Sequence, residues 1–407
     1  MTSISTSLSE LGFAPVLALV AKAAKAEARE LSAHFSAQAE SQFGRASLAA
    51  SAADRSRPTK VDGARVYPNL GVVYGTVDRA GLAALRADTR VRAVRAAPQL
   101  SLIRPVGRQA AAAAAVPPWG ITSMGIPQLW DQGLTGAGVA VAHLDTGIDG
   151  THPAVRAALA GFAEFDISGR QVRGTSPRDS DEVDGHGTHT AATLAGRAVR
   201  GRRVGVAPGA SVYSALVIEG GDVVARVLGG MDWALGQGVR VLSMSLGIRG
   251  LLNDFLGVVD VLRDSGVLPV MAVGNEGPGT SRSPGNYPKV VSVGAHDQAM
   301  TVADFSSSQR FVRRSQPVVP DLTGPGVEVV SARAGGGWHA LSGSSMATPH
   351  VAGLAALLLE AKPDATVARL ERAILASAVR ADIDASRGGR GAVDGPRALA
   401  SLRGGRA

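Results

Sequence analysis

The chain has 407 residues, 45% hydrophobic and 19% charged, which supplies a buried core and excludes a wholly disordered chain. It holds no cysteine, so a disulfide scaffold, a thiol nucleophile and a thiolate zinc site are all excluded. The net charge of +8 invites a nucleic-acid reading, yet residues 1–115 hold 15 Lys and Arg against 8 Asp and Glu, leaving 27 and 26 of the 42 and 34 for the rest. The basicity belongs to the leading quarter, where Phe and Tyr are too sparse to stack on bases, and no nucleic-acid partner is expected.

Near the amino end, the apolar stretch 11–21 is far shorter than the roughly 20 residues that span a bilayer. Residues 1–10 lack Lys and Arg, unlike the positive start of a secretory signal. No membrane span and no Sec signal are expected, which leaves the cytoplasm or a non-classical export route. Residues 8–52 are rich in Ala, Glu, Lys and Gln with apolar residues at helical spacing, and with the polar stretch around Pro58 they make residues 1–60 a helical extension and linker. Extended stretches at 65–74, 91–94 and 99–103 flank a helical segment at 79–88, which predicts a small α+β domain over 61–105. The alanine run after it has no core-forming pattern, so 106–118 reads as a cleavable linker. From there the pattern changes. Apolar runs of strand length at 139–144, 211–217, 239–243, 267–272 and 290–293 alternate with helical stretches at 186–195, 223–235 and 254–264. Such βα units predict an α/β domain over 119–400, three-layered, with a mostly parallel sheet covered by helices on both faces. Residues 401–407 read as a flexible tail.

Four residues at element ends carry candidate chemistry. Asp145 follows the strand 139–144, where a parallel sheet places its active groups, although an Asx turn uses the same residue. His186 lies between two glycines in Asp184-Gly185-His186-Gly187-Thr188-His189, and the small neighbours suit an imidazole that a substrate backbone must approach. His189 reads as a buried, hydrogen-bonded histidine, since no third ligand completes a metal set. Ser345 lies in Gly343-Ser344-Ser345-Met346-Ala347-Thr348-Pro349-His350 at the start of an apolar helix. That is a common capping position and also a place where the helix dipole and free N–H groups favour an oxyanion. Asn275, in Val273-Gly274-Asn275-Glu276-Gly277, is either a turn residue or an amide donor to that oxyanion.

In the order Asp, His, Asn, Ser and with these flanks, the four resemble the motifs of the subtilisin-like serine peptidases. The resemblance extends to Ser245-Leu246-Gly247, Ala207-Pro208-Gly209-Ala210, Thr323-Gly324-Pro325-Gly326 and Gly391-Ala392-Val393-Asp394, and runs from about Trp119 to Leu399. The order Asp, His, Ser differs from that of α/β-hydrolases, whose nucleophile elbow also fails here at Ala347. The resemblance implies a serine endopeptidase acting on polypeptides through an acyl-enzyme, with Ser345 as nucleophile, His186 as base, Asp145 as orienting carboxylate and Asn275 in the oxyanion hole. It implies a substrate strand laid against Ser245, Leu246 and Gly247, with Gly274 beside the site. It also makes the small domain an inhibitory propeptide, so the chain is a self-processing zymogen whose leader is an intramolecular partner. A catalytically silent binding protein of the same fold is the alternative.

Three departures from the family pattern stand out. Ala154 replaces a calcium-binding Asp, and Arg197-Ala198-Val199-Arg200-Gly201-Arg202-Arg203 replaces an oxygen-rich loop, so the strong calcium site is expected to be absent and no cofactor is expected. Arg282 falls at the floor of the S1 pocket, where it either pairs with an acidic P1 side chain, neutralises Glu276 or faces solvent. His143, two residues before Asp145 and on the same strand face, has no functional assignment from sequence.

Overall fold

Eight strands form the central sheet, and why they do is visible in the composition of its inner members: Val241–Met244, Leu268–Ala272 and Val291–His296 are short, mostly apolar runs buried at every residue. In a computed structural model, residues 3–36, 64–97, 100–110, 118–219, 223–380 and 383–404 are described. The leading region holds four strands, β1 (Ala14–Val20), β2 (Ala64–Tyr67), β3 (Val72–Val77) and β4 (Val91–Ala96), in the order β2-β3-β1-β4. β1 runs antiparallel to β3, with Ala14 opposite Val77, and antiparallel to β4, with Val16 opposite Ala96. Helix Arg79–Ala87, capped by Asp78 accepting from Gly81 N, joins β3 to β4.

Over the described residues this corrects the helical reading of residues 8–52, of which 37–52 lie outside them. Ala14–Val20 is the inner strand of the small sheet, and the run Lys22–His34 that follows is a 3-10 helix. Propensity misleads here because Ala and Leu favour helices, whereas a seven-residue run buried on both faces, six of its residues fully so, packs well in an inner strand. The unit expected over 61–105 therefore begins well before residue 61. The expected linker 106–118 is also partly a strand, and its residues 111–117 lie outside the described ones.

Next come β5 (Ser101–Leu102) and β6 (Gly107–Ala110), then β7 (Ala140–Asp145), β8 (Leu159–Phe165), β9 (Gln171–Val172), β10 (Ser211–Leu216), β11 (Val241–Met244), β12 (Leu246–Arg249), β13 (Leu268–Ala272), β14 (Arg282–Ser283) and β15 (Val291–His296). The short hairpin β16 (Gln309–Arg310) and β17 (Val318–Val319) precedes β18 (Leu322–Pro325), β19 (Val329–Ala332) and β20 (Trp338–Ser342). The main sheet has the order β18-β15-β13-β11-β7-β10-β8-β9 and is parallel except at the β8–β9 edge. One face packs on helices Ser344–Ala361 and Val367–Ser377, through residues such as Val351, Leu354 and Ile374. The other packs on helices Val223–Gly236 and Leu256–Asp264. The three-layer α/β expectation holds.

The small sheet is joined to this second face by apolar contacts. Leu17, Leu19, Tyr67, Leu70, Val72 and Tyr74 share one buried cluster with Phe165, Val224, Leu228, Phe255 and Val258. Leu19 fills the notch left by Gly257, where a Cβ would lie 2.3 Å from its Cδ1. Polar contacts join them as well: Leu70 N donates to Asp232 Oδ1 at 2.9 Å, Asn69 Nδ2 to Asp232 O at 3.0 Å and Tyr67 Oη to Ala225 O at 3.0 Å. Among the described residues no helix is long and apolar enough to cross a membrane.

Candidate active site

Asp145 ends β7, whose neighbours β10 and β11 lie on opposite sides of it, so its carboxylate stands where the strand order reverses. His186 opens the helix His186–Ala195. Its Nδ1 is 2.6 Å from Asp145 Oδ1, and Thr146 N donates to the same oxygen at 2.7 Å. Both side chains are buried. Burial opposes charge on either group, but their mutual attraction and hydrogen bond prevail, holding His186 above the ordinary 6.5 and Asp145 below 3.8. His186 Nε2 has no hydrogen-bond partner among the described residues.

The acidic run before His186 holds this helix start. Asp179 Oδ2 accepts from Thr188 N at 2.7 Å and from Thr188 Oγ1 at 2.6 Å, and Asp181 Oδ2 accepts from His186 N at 3.3 Å. Thr146 Oγ1 accepts from Gly187 N at 2.9 Å and donates to Asp179 Oδ1 at 2.7 Å. Carboxylates thus satisfy N–H groups that a helix start leaves free. The glycines beside His186 are closely surrounded: a Cβ at Gly187 would lie 2.1 Å from Gly147 O and one at Gly185 2.6 Å from Ala334 Cβ. They admit the protein's own chain.

Ser345 is the second residue of helix Ser344–Ala361, whose N-cap, Gly343, has no side chain to satisfy the free N–H groups. Its Oγ donates to Ile103 O at 2.7 Å. Ser344 N and Ser344 Oγ each donate to Asn275 Oδ1 at 2.8 Å, which turns the amide nitrogen outward, and Asn275 Nδ2 donates to Arg104 O at 2.9 Å. Gly274 has φ of +121°, a backbone conformation that other residues rarely adopt.

Both carbonyls belong to the segment between β5 and β6, which crosses the cleft. β5 pairs antiparallel with β12, placing Leu102 opposite Leu246 and Ser101 opposite Gly247, and Ile103 N donates to Ser245 O at 3.1 Å. Val106 N donates to Ser342 O at 2.8 Å, and β6 continues antiparallel to β20. A cavity of about 550 Å³ beside this strand is lined by Ile103, Arg104, Asn275, Glu276 and Arg282, among others. Arg282 spends its guanidinium there on Glu276 Oε1, from Nε at 2.8 Å and also from Nη2, while Nη1 donates to Gly247 O at 3.1 Å. Of the alternatives for Arg282, pairing with Glu276 is the one observed.

The Subtilase family profile matches residues 136–396. The chain belongs to the subtilase family. Subtilisin E of Bacillus subtilis (strain 168) is 37% identical over 259 residues, 62% of this chain and 64% of that protein. Subtilisin of Bacillus pumilus is 36% identical over 259 residues, 88% of its length, and Subtilisin Savinase of Lederbergia lenta 37% over 248 residues, 85% of its length. The chain thus spans just under two thirds of the length of several relatives it matches.

In the loop where the sequence departs from the family's oxygen-rich segment, arginines make the contacts. Arg197 Nη2 points at the carbonyls of Ala157 and Ala210, at 3.4 and 3.3 Å, and Arg202 lies over the Trp338 ring at 5.0 Å. A guanidinium aimed at carbonyl oxygens occupies the donors that a hard cation would need. Among the described residues, no group of three or more His, Asp or Glu is placed to hold a metal. His189 is buried with Nε2 on Val329 O at 2.8 Å, as expected. A second Ser–His–Asp sequence, Ser214–His143–Asp145, is present, but Ser214 faces His143 across the paired strands β10 and β7 and is fully buried in the sheet. The sequence reading gave no role to Thr146, Asp179 and Ser344, although Thr146 adjoins Asp145 and Ser344 adjoins Ser345.

Proposed function

We propose that this subtilase is a serine endopeptidase in its uncut, self-inhibited form, with Ser345 as nucleophile, His186 as base, Asp145 as orienting carboxylate and Asn275 as oxyanion donor. The carrying observation is convergence: the Ser345 hydroxyl and the Asn275 amide both reach carbonyls of one polypeptide strand lying across the cleft. In the reaction, His186 Nε2 takes the Ser345 proton as Oγ attacks the scissile carbonyl carbon, and Asp145 stabilises the imidazolium that forms. Asn275 Nδ2 and the Ser345 backbone N–H receive the oxyanion, and His186 returns its proton to the leaving amine. Water then hydrolyses the acyl-enzyme by the same proton path.

The substrate is a polypeptide in extended conformation, added as a strand to β12 and taking its affinity from main-chain hydrogen bonds to Ser245 and Gly247. The leading unit acts as an inhibitory propeptide for the domain over 119–400, and its strand β5 already uses this substrate edge. Pairing of Arg282 with Glu276 supports a neutral pocket floor and leaves an acidic P1 side chain to compete for a guanidinium already engaged.

Mass spectrometry of the purified chain beside Ser345→Ala tests the reading. Cleavage of the first and persistence of the second is expected. Inertness of the wild type toward a fluorophosphonate probe after its leader has been digested away by an added peptidase would instead favour the silent binding protein.

A further inference from the structure

The mechanism above leaves His143 unused. It is 1% exposed, on β7. Its Nδ1 lies 3.0 Å from Ser214 Oγ and its Nε2 2.9 Å from Thr190 Oγ1, while Thr190 Oγ1 lies 3.3 Å from Asp145 Oδ2. Direct approach of His143 Nε2 to Asp145 Oδ2 is longer, 3.8 Å. Burial drives the His143 pKa down to about 4, so near neutral pH the ring is uncharged and carries one N–H.

Where that hydrogen sits follows from satisfying every buried group. If it is on Nδ1, Nε2 must accept the single Thr190 proton, and Asp145 Oδ2 loses its donor. If it is on Nε2, it donates to Thr190 Oγ1, Thr190 gives its proton to Asp145 Oδ2, and Ser214 supplies Nδ1. Thr190 Oγ1 is also 3.0 Å from His186 O and 3.1 Å from Gly187 O. Those are carbonyls inside a helix, whereas the carboxylate is charged and the stronger acceptor. The donor chain therefore runs Ser214 to His143 to Thr190 to Asp145, and it ends on the oxygen that His186 does not use.

We propose that His143 is a positioning residue for the peptidase reaction, directing the Thr190 hydroxyl onto Asp145 Oδ2 so that Oδ1 is held toward His186. This rests on the assignment of Asp145 as the orienting carboxylate. Removing the donor leaves Asp145 more basic and freer to rotate, and His186 then holds its proton more tightly. The titratable groups that face His143 are Asp145 on its own strand and His186 on the adjoining helix.

The test compares His143→Leu, His143→Gln, His143→Asn, Thr190→Val and the His143→Leu/Thr190→Val pair. kcat, KM and the pH profile are measured with a chromogenic peptide on material whose leader has been digested away by an added peptidase. His143→Leu is expected to lower kcat about tenfold with KM nearly unchanged, and to move the acid limb to higher pH. Gln can carry an N–H near the position of Nε2 and should restore most of the activity, whereas Asn carries its amide nearer Nδ1 and should not. The double variant should be no worse than the worse single one. Additive losses, or equal behaviour of Gln and Asn, overturn the proposal; the Gln and Asn comparison remains decisive if the Leu variant does not fold. Asp145→Asn is the control: full activity there would place the failure in the triad assignment, and not in His143.

Discussion

Asn275 donates to the carbonyl of Arg104, one peptide beyond the Ile103 carbonyl to which the Ser345 hydroxyl donates. For attack, nucleophile and oxyanion donor must serve the same carbonyl, Oγ at its carbon and the amide at its oxygen. Here they are divided between neighbours, so neither the Ile103–Arg104 nor the Arg104–Pro105 bond is in register for cleavage.

Pro105 helps to hold this arrangement. It has no N–H to give, its φ is fixed, and it confines Arg104 to extended backbone. Pro105→Gly should let the strand slip by one carbonyl and accelerate self-cleavage several-fold. Intact-mass time courses on freshly purified chain would measure this, with the new end mapping to 103–105. A rate unchanged from the parent would show that the register is held elsewhere.

Removing the oxyanion amide, Asn275→Leu, should lower kcat by roughly 10²- to 10³-fold with little change in KM. That magnitude is carried over from the corresponding donor of subtilisin. Ser344→Ala removes one of two donors that orient the amide, and a loss near 1 kcal/mol, several-fold in kcat, is expected. Steady-state kinetics on the cut enzyme separate the two.

The pH profile follows from the Asp145–His186 pair. Because His186 is raised above 6.5 in the folded protein, and the base must be neutral to accept a proton, the acid limb of kcat/KM on the cut enzyme should lie above that of free imidazole. Asp145→Asn should move the limb to lower pH as well as reduce the rate. A limb unmoved by Asp145→Asn would assign it to another group.

Stability should respond to Asp321, buried with its Oδ2 accepting from Ser292 N at 2.9 Å. Burial raises its pKa from 3.8 to about 7. The folded state therefore binds a proton that the unfolded state has released, and stability falls as pH rises from about 4 to 7. Asp321→Asn keeps an acceptor for Ser292 and removes the ionisation. It should flatten that decline and raise stability at pH 8 by a few kcal/mol, read by denaturant unfolding at several pH values.

The main sheet was legible because its strands are uniform apolar runs: 139–144, 211–217 and 267–272 fall within a residue or so of β7, β10 and β13. Asp145, His186, Asn275 and Ser345 were legible because each sits at the end of such an element among small residues. Ala14–Val20 was not, since its residues suit helix and strand alike until a partner sheet decides. The strand across the cleft was not, because Ile103 and Arg104 engage the site through backbone carbonyls, which every residue has. Thr190 was hidden for another reason: only the helix turn that brings it beside Asp145 gives its hydroxyl a partner there.

The packing of Leu19 into the notch at Gly257 separates two events that are easily equated. A cut in the expected linker 106–118 would remove a covalent link but no part of the oily seam between the small sheet and the helices beneath it. The severed unit would remain seated, its tail still over Ser345. On this view, the clock for activity is set by how fast the detached unit lets go or is itself digested, and the first molecule to become free can hasten the rest.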